Sequence, residues 1–145
     1  MAPQSPRLVP LAPGLSVTGA LDSSDIAALA RSGVRAIINN RPDGEEPGQL
    51  PAAEARGLAE AQGVAYHHIP ITAATLSAAD VDAFAAALDG SERPVVAHCR
   101  SGTRSTLLWA LTRLRAGADP AALVAEAAGH GIDIAALPSI AARLE

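Results

Sequence analysis

Cys99 is the only cysteine of the 145-residue chain, and it stands in the segment VVAHCRSGTRSTLLW, Val95 to Trp109. A short apolar run leads up to it and a helix-forming run follows. A buried strand therefore delivers the thiol to the carboxyl edge of a sheet, where open α/β sheets place their ligands. Arg100, Ser101, Gly102 and Thr103 curl over the start of the helix, where backbone N–H groups lack intrahelical partners. Such groups can converge on one anion, and the helix dipole adds favourable potential. Gly102 gives the loop the freedom a tight ring needs. Arg104 offers a planar fork to two oxygens of the anion. The same field favours the thiolate, the nucleophilic form of a cysteine. The expected chemistry is nucleophilic attack by Cys99 on a small anion, with Ser105 or Thr103 donating a hydrogen bond to the sulfur. His98 is expected to brace the loop as a structural histidine. Arg100 either recruits an anionic substrate or is an idle surface residue. The plain alternative for Cys99 is an inert buried thiol. Its place between a strand and a helix start, beside glycine, two arginines and hydroxyls, argues against that.

The composition narrows the field. All 11 basic residues counted as Lys or Arg are Arg, so Schiff-base chemistry, lysine general bases and Walker-type phosphate lysines are excluded. A net charge of −4 carries no general nucleic-acid footprint. No apolar run approaches the roughly 20 residues of a membrane span, and Met1 to Pro13 lack the pattern of a signal peptide. With one cysteine, no intramolecular disulfide forms, and a cytoplasmic location is expected. The 49% hydrophobic and 18% charged composition is that of a globular domain. His67 and His68 are adjacent on a strand and point to opposite faces, so neither a metal nor a cofactor is expected.

The elements that must hold the loop follow from the punctuation of the chain. Residues 1–13 carry Pro3, Pro6, Pro10 and Pro13 and read as an extended arm, with one domain over 14–145. Strands are expected at Leu15 to Thr18, Val34 to Asn39, Val64 to Ile69 and Pro94 to His98. Helices are expected at Asp25 to Arg31, Pro51 to Gln62, from the Ser77 cap to Leu88, Thr103 to Ala116, Pro120 to Ala128 and Ile134 to Leu144. Asn40 to Pro51 (NRPDGEEPGQLP) must be a loop. Regular alternation of strand and helix predicts a single α/β domain with a small, mostly parallel sheet of four to five strands flanked by helices.

At these residues a resemblance enters. HCRSGTRS resembles the active-site loop shared by cysteine-dependent phosphatases and rhodanese-type sulfurtransferases, with four residues between Cys99 and Arg104, as in rhodaneses, where phosphatases have five. GLSVTGAL from Gly14, INNRPDGEEPGQ from Ile38, YHHIPI from Tyr66 and AHCRSGTRSTLLWAL from Ala97 are similar to the bacterial beta-lactamase hydrolase-like protein family, phosphatase-like domain. The likeness spans about residues 8 to 137. It implies a fold like that of the cysteine phosphatases, with Cys99 as nucleophile and Arg104 as anion-binding arginine. Members occur alone or fused to a persulfide-dioxygenase domain of the metallo-β-lactamase fold, which makes a persulfide dioxygenase a candidate partner. Asn40, Arg41 and Asp43 lie in the second motif, whose loop leaves the same sheet edge. Arg41 can add an anion contact and Asp43 can donate a proton; the alternative is a self-satisfied Asx and Pro-Gly turn.

Three functions compete for this loop. A phosphatase working through a Cys99 phosphocysteine needs a general acid for the leaving oxygen. Dual-specificity phosphatases take it from an Asp shortly after the Ile-Pro strand end, where this chain reads Ile69-Pro70-Ile71-Thr72-Ala73-Ala74. Asp80 and Asp82 fall on the following helix. A sulfurtransferase needs no strong acid when the leaving group is a good anion. Loop length and the missing acid put sulfur transfer first. Cys99 would take sulfur from thiosulfate or a small persulfide and pass it to an outside thiol such as glutathione. The phosphatase is the alternative, and a non-catalytic anion- or phosphopeptide-binding module is the third.

Overall fold

The computed structural model describes residues 6–144. Its strands are β1 (Val9–Ala12), β2 (Leu15–Thr18), β3 (Ala36–Asn39), β4 (Ala65–His68) and β5 (Val95–His98). Its helices are α1 (Ser23–Arg31), α2 (Ala52–Glu60), α3 (Ala78–Asp89), α4 (Thr103–Arg115), α5 (Pro120–Gly129) and α6 (Leu137–Leu144). Four strands and six helices fall where the chain's apolar pattern and caps predict them. Asp22 and Asp25 close a capping box at α1, as Ser77 and Asp80 do at α3.

The fifth strand is the addition. Of the expected arm over 1–13, residues 1–5 lie outside the described residues, while Val9–Ala12 form β1 and pair antiparallel with β2. Pro10 can belong to a strand here because β1 is an edge, where a missing N–H leaves no ladder bond unmade.

The sheet runs in the order β1-β2-β5-β3-β4, with β2, β5, β3 and β4 mutually parallel. It is sandwiched. Ile37, Tyr66 and Val96 point to one face and pack against Ile26 and Leu29 of α1 and Ala52, Ala55 and Ala59 of α2. Ala36, Ile38, Val95 and Ala97 point to the other and pack against Val81 and Phe84 of α3, α4, and Leu137 and Ile140 of α6. The alternation is the period of two that a strand imposes. Alanines on α2 let that helix approach the sheet closely. Trp109 is 3% exposed and belongs to the larger core.

This order places β5 between β2 and β3, at the point where successive connections diverge to either side. The crevice beyond the carboxyl end of the central strand is where such sheets hold ligands. Cys99 follows β5 directly, and Asn40 to Pro51 leaves the same edge from β3.

Candidate active site

Cys99 is buried at the base of the loop that joins β5 to α4. The Gly102 N–H points back and donates to Cys99 Sγ at 3.0 Å. Gly102 is the N-cap of α4 with φ +92°, a backbone state that other residues reach only with strain. Its carbonyl accepts from the Thr106 N–H at 3.0 Å and the Thr106 hydroxyl at 2.8 Å, which starts the helix at once. β2 supports the loop from its side. Ala20 N–H donates to the Arg100 carbonyl at 3.1 Å, and a Cβ on Gly19 would lie 3.0 Å from that same oxygen. A side chain at position 19 would therefore press on the Arg100 backbone.

On the other side, the residues after β3 act as a brace. Asn40 is fully buried. Its Oδ1 accepts from Ser105 Oγ at 2.8 Å and its Nδ2 donates to the Ile69 carbonyl at 3.0 Å, so it joins α4 to the end of β4. Its backbone N–H donates to the His98 carbonyl at 2.8 Å. Arg41 is 5% exposed; its N–H donates to Asn39 Oδ1 at 2.8 Å, and its carbonyl lies 2.9 Å from His68 Nε2.

Glu45 then joins the two loops. Its carboxylate receives Arg104 in a fork, Oε2 from Nη1 at 2.8 Å and Oε1 from Nη2 at 2.9 Å, and Oε1 also receives Arg41 Nε at 2.9 Å. Arg104 Nη1 donates in addition to the Ile71 carbonyl at 2.9 Å. The Arg104 hydrogen bonds, foremost, hold the Glu45 carboxyl below the usual carboxylate range. Glu45 in turn raises the Arg104 pKa, with the neighbouring Cys99 sulfur as a lesser cause. Glu46 pairs with Arg100 Nε at 2.7 Å and lies 3.3 Å from Arg41 Nη2. A cavity of about 240 Å³ adjoins the loop on the β2 side, lined by Arg7, Thr18, Gly19, Ser101, Gly102 and His130 among others.

The structure thus brings Cys99, Gly102, Arg104, Arg41 and Asn40 together, but it assigns several tasks differently from the sequence reading. The hydrogen bond to the sulfur comes from the Gly102 backbone. Ser105 is spent on Asn40, and the Thr103 hydroxyl pairs with Ser101 Oγ at 3.2 Å. Asp43, expected as a proton donor, accepts the Ala52 N–H at 2.8 Å. The reason is local: Pro51 is the N-cap of α2 and provides no side-chain cap, so a carboxylate from earlier in the loop takes the orphan donor. Asp80 caps α3 and Asp82 pairs with Arg115. Arg100 is mostly exposed and held by Glu46. His98 is buried, and burial pushes its pKa down to about 4. It is therefore neutral near pH 7, and its Nδ1 has no hydrogen-bond partner. Glu45, the residue that touches Arg104, lies in the Asn40 to Pro51 loop and has no role in the sequence reading. The signal that points to it is charge balance: a site built on three arginines requires carboxylates within reach. Among the described residues no cluster of three or more His, Cys, Asp or Glu side chains is placed to hold a metal ion. Among the described residues no helix is long and apolar enough to cross a membrane.

Comparison with known proteins places this arrangement. A curated beta-lactamase hydrolase-like protein of Xylella fastidiosa is 37% identical over 108 residues, 74% of this chain. The chain spans about a quarter of that relative's length (25%). A crystal structure of a putative phosphatase from Neisseria meningitidis superposes with a TM-score of 0.78 at 32% identity, covering 88% of this chain and 91% of the other. Kinase associated phosphatase, crystallised with its catalytic cysteine replaced by serine, superposes with a TM-score of 0.65 at 18% identity, covering 90% of this chain and 86% of its own. That likeness shows the fold of a cysteine phosphatase. Residues 7–118 match the family model described as beta-lactamase hydrolase-like protein, phosphatase-like domain, so the loop of Cys99 and Arg104 is carried by a member of that family.

Proposed function

We propose that the chain is a cysteine-dependent phosphatase that cleaves phosphate monoesters through a Cys99 phosphocysteine. The observation that carries this is the Cys99 sulfur held 3.0 Å from the Gly102 N–H at the carboxyl end of the central strand, with Arg104 in the first turn of the helix that follows. Support comes also from the family and from the putative phosphatase of similar fold. This reverses the order of the two enzyme readings given by loop length and the missing acid, because the family is described as phosphatase-like and the similar fold is that of a putative phosphatase.

The chemistry balances as follows. The Cys99 thiolate attacks phosphorus, an S–P bond forms, and the bond from phosphorus to the leaving oxygen breaks. The leaving group departs with the bonding electrons and takes its proton from water. A water molecule then attacks phosphorus, the S–P bond breaks, and inorganic phosphate and the thiolate are released. Arg104 and the Gly102 N–H stabilise charge on the phosphoryl oxygens and the sulfur. Asp43, Glu45, Glu46, Asp80 and Asp82 are each engaged by a cap or an arginine. Phosphate esters whose leaving groups are stable anions, such as aryl phosphates, are therefore the expected substrates.

A second reading is favoured by the same lack of a disengaged acid and by the four residues between Cys99 and Arg104. In it, Cys99 attacks the outer sulfur of thiosulfate, releases sulfite and holds a persulfide. An outside thiol such as glutathione then takes the sulfur. One set of assays decides. Hydrolysis of p-nitrophenyl phosphate and thiocyanate formation from thiosulfate and cyanide are measured for wild type and Cys99→Ser. We expect ester turnover that falls at least about 10³-fold in Cys99→Ser. Sulfur transfer without ester turnover would establish the second reading. Full activity in Cys99→Ser would overturn both.

A further inference from the structure

Arg104 has five N–H donors fixed in a plane. The end formed by Nη1 and Nη2 is filled by the two oxygens of Glu45, at 2.8 and 2.9 Å. The remaining Nη1 hydrogen goes to the Ile71 carbonyl at 2.9 Å. Two donors are left, Nε–H and the second Nη2–H. The planar geometry sets them side by side on a single edge, a ready fork for two oxygens. We infer that Glu45 is a positioning residue: its carboxylate clamps the far end of Arg104 so that the Nε–Nη2 edge is presented to the oxyanion that reacts at Cys99. The inference deepens the phosphatase reading and rests on it.

The opposite role, a carboxylate that plugs the anion site and must leave before substrate enters, fits the contacts less well. Glu45 occupies one fork of Arg104 and leaves the other open. Glu45 is also anchored from below. Arg41 Nε donates to it at 2.9 Å, and Arg41 is 5% exposed, with its main chain fixed by Asn39 and His68. Withdrawal of Glu45 would leave that buried guanidinium without its nearest counter-charge, a costly state. A long arginine side chain loses rotamer freedom when it binds, and a clamp sets that loss before the anion arrives. Two glutamates against Arg41, Arg100 and Arg104 leave one positive charge over, the counterpart of the Cys99 sulfur when it attacks as a thiolate.

A double-mutant cycle tests the inference on the whole chain, using inorganic phosphate as the binding probe and p-nitrophenyl phosphate as the turnover probe. Wild type, Glu45→Ala, Arg104→Ala and the double variant are compared by calorimetric titration and by kcat/KM. Glu45→Ala is expected to weaken phosphate binding and lower kcat/KM about tenfold, and to change either by less than about twofold once Arg104 is already alanine. Glu45→Gln keeps the shape and one acceptor, so part of the loss is expected to return; it also carries the comparison if Glu45→Ala unfolds. Phosphate binding as tight as wild type or tighter in Glu45→Ala would overturn the clamp in favour of the plug. An equal loss in both Arg104 backgrounds would also overturn it, as would absence of phosphate binding in wild type. Phosphate binding by wild type without ester turnover would overturn the phosphatase reading, and the binding cycle would still decide the role of Glu45.

Discussion

The loop after β5 holds the Cys99 sulfur by a contact drawn from its own neighbourhood, although Ala20 props the loop from β2's side. The Gly102 N–H lies three residues from the sulfur it meets, and Thr106 closes the turn four residues beyond Gly102. The loop after β3 works by distant contacts: Glu45 reaches Arg104 across 59 positions, and Asn40 reaches Ser105 across 65. Both loops serve one site, but the first provides the nucleophile and the second sets the direction of the arginine. A nucleophile can be placed by a strand, a turn and a helix start, because these are local. The facing of a flexible arginine needs a partner on another element.

The contrast can be broken at several points. The largest effect is expected in the strand beneath both loops. His98 has its pKa pushed down to about 4 by burial, against an ordinary 6.5. Above pH 6.5 it is neutral in both folded and unfolded chains. As pH falls from 6.5 to 4 the unfolded chain takes the proton first, so stability is lost across that window. The loss is about 3 kcal/mol. Urea unfolding at successive pH values should show that limb, and His98→Gln, which does not titrate, should flatten it. An unchanged limb would mean that other groups set the acid sensitivity.

Next comes the distant brace. Asn40→Ala leaves Ser105 Oγ and the Ile69 carbonyl without their partner, a loss of about 2 kcal/mol in urea unfolding. If the brace matters to the site, kcat/KM falls with it even where the variant is fully folded. The local turn is tested by Gly102→Ala, which forces a Cβ onto a φ of +92°. A cost of about 1 to 2 kcal/mol is expected, with about a tenfold loss of kcat as the N–H shifts from the sulfur. A stability loss without a kinetic one would separate the turn from the chemistry. The smallest effect is expected from Arg100→Ala. Its pair with Glu46 is exposed on both sides, so stability should change by less than about 0.5 kcal/mol and the thermal midpoint should barely move.

Much of the fold was legible because its signals are local. Gly33, Gly63 and Gly117 end elements, Asp22 and Ser77 cap them, and apolar runs mark the four strands other than β1. β1 was hidden because Pro10 argues against a strand unless the strand is an edge, and an edge is defined only once the sheet has assembled. In the site, Cys99, Gly102 and Arg104 stood out for the same local reason. Ser105 and Asp43 are engaged elsewhere than the first expectation placed them, Asp43 in line with the self-satisfied loop that was its alternative. A hydroxyl and a carboxylate take whichever partner the assembled chain offers, and those partners were Asn40 and the uncapped N–H of Ala52.

The sequence by itself determined that a lone thiol sits on a strand-to-helix turn beside an arginine, because strand, turn and helix cap are written in adjacent residues. Only the tertiary structure decided which way that arginine faces and what holds it. The order β2-β5-β3 brings the loop of Glu45 beside the loop of Cys99. A guanidinium with five donors has no preferred direction until fixed acceptors surround it.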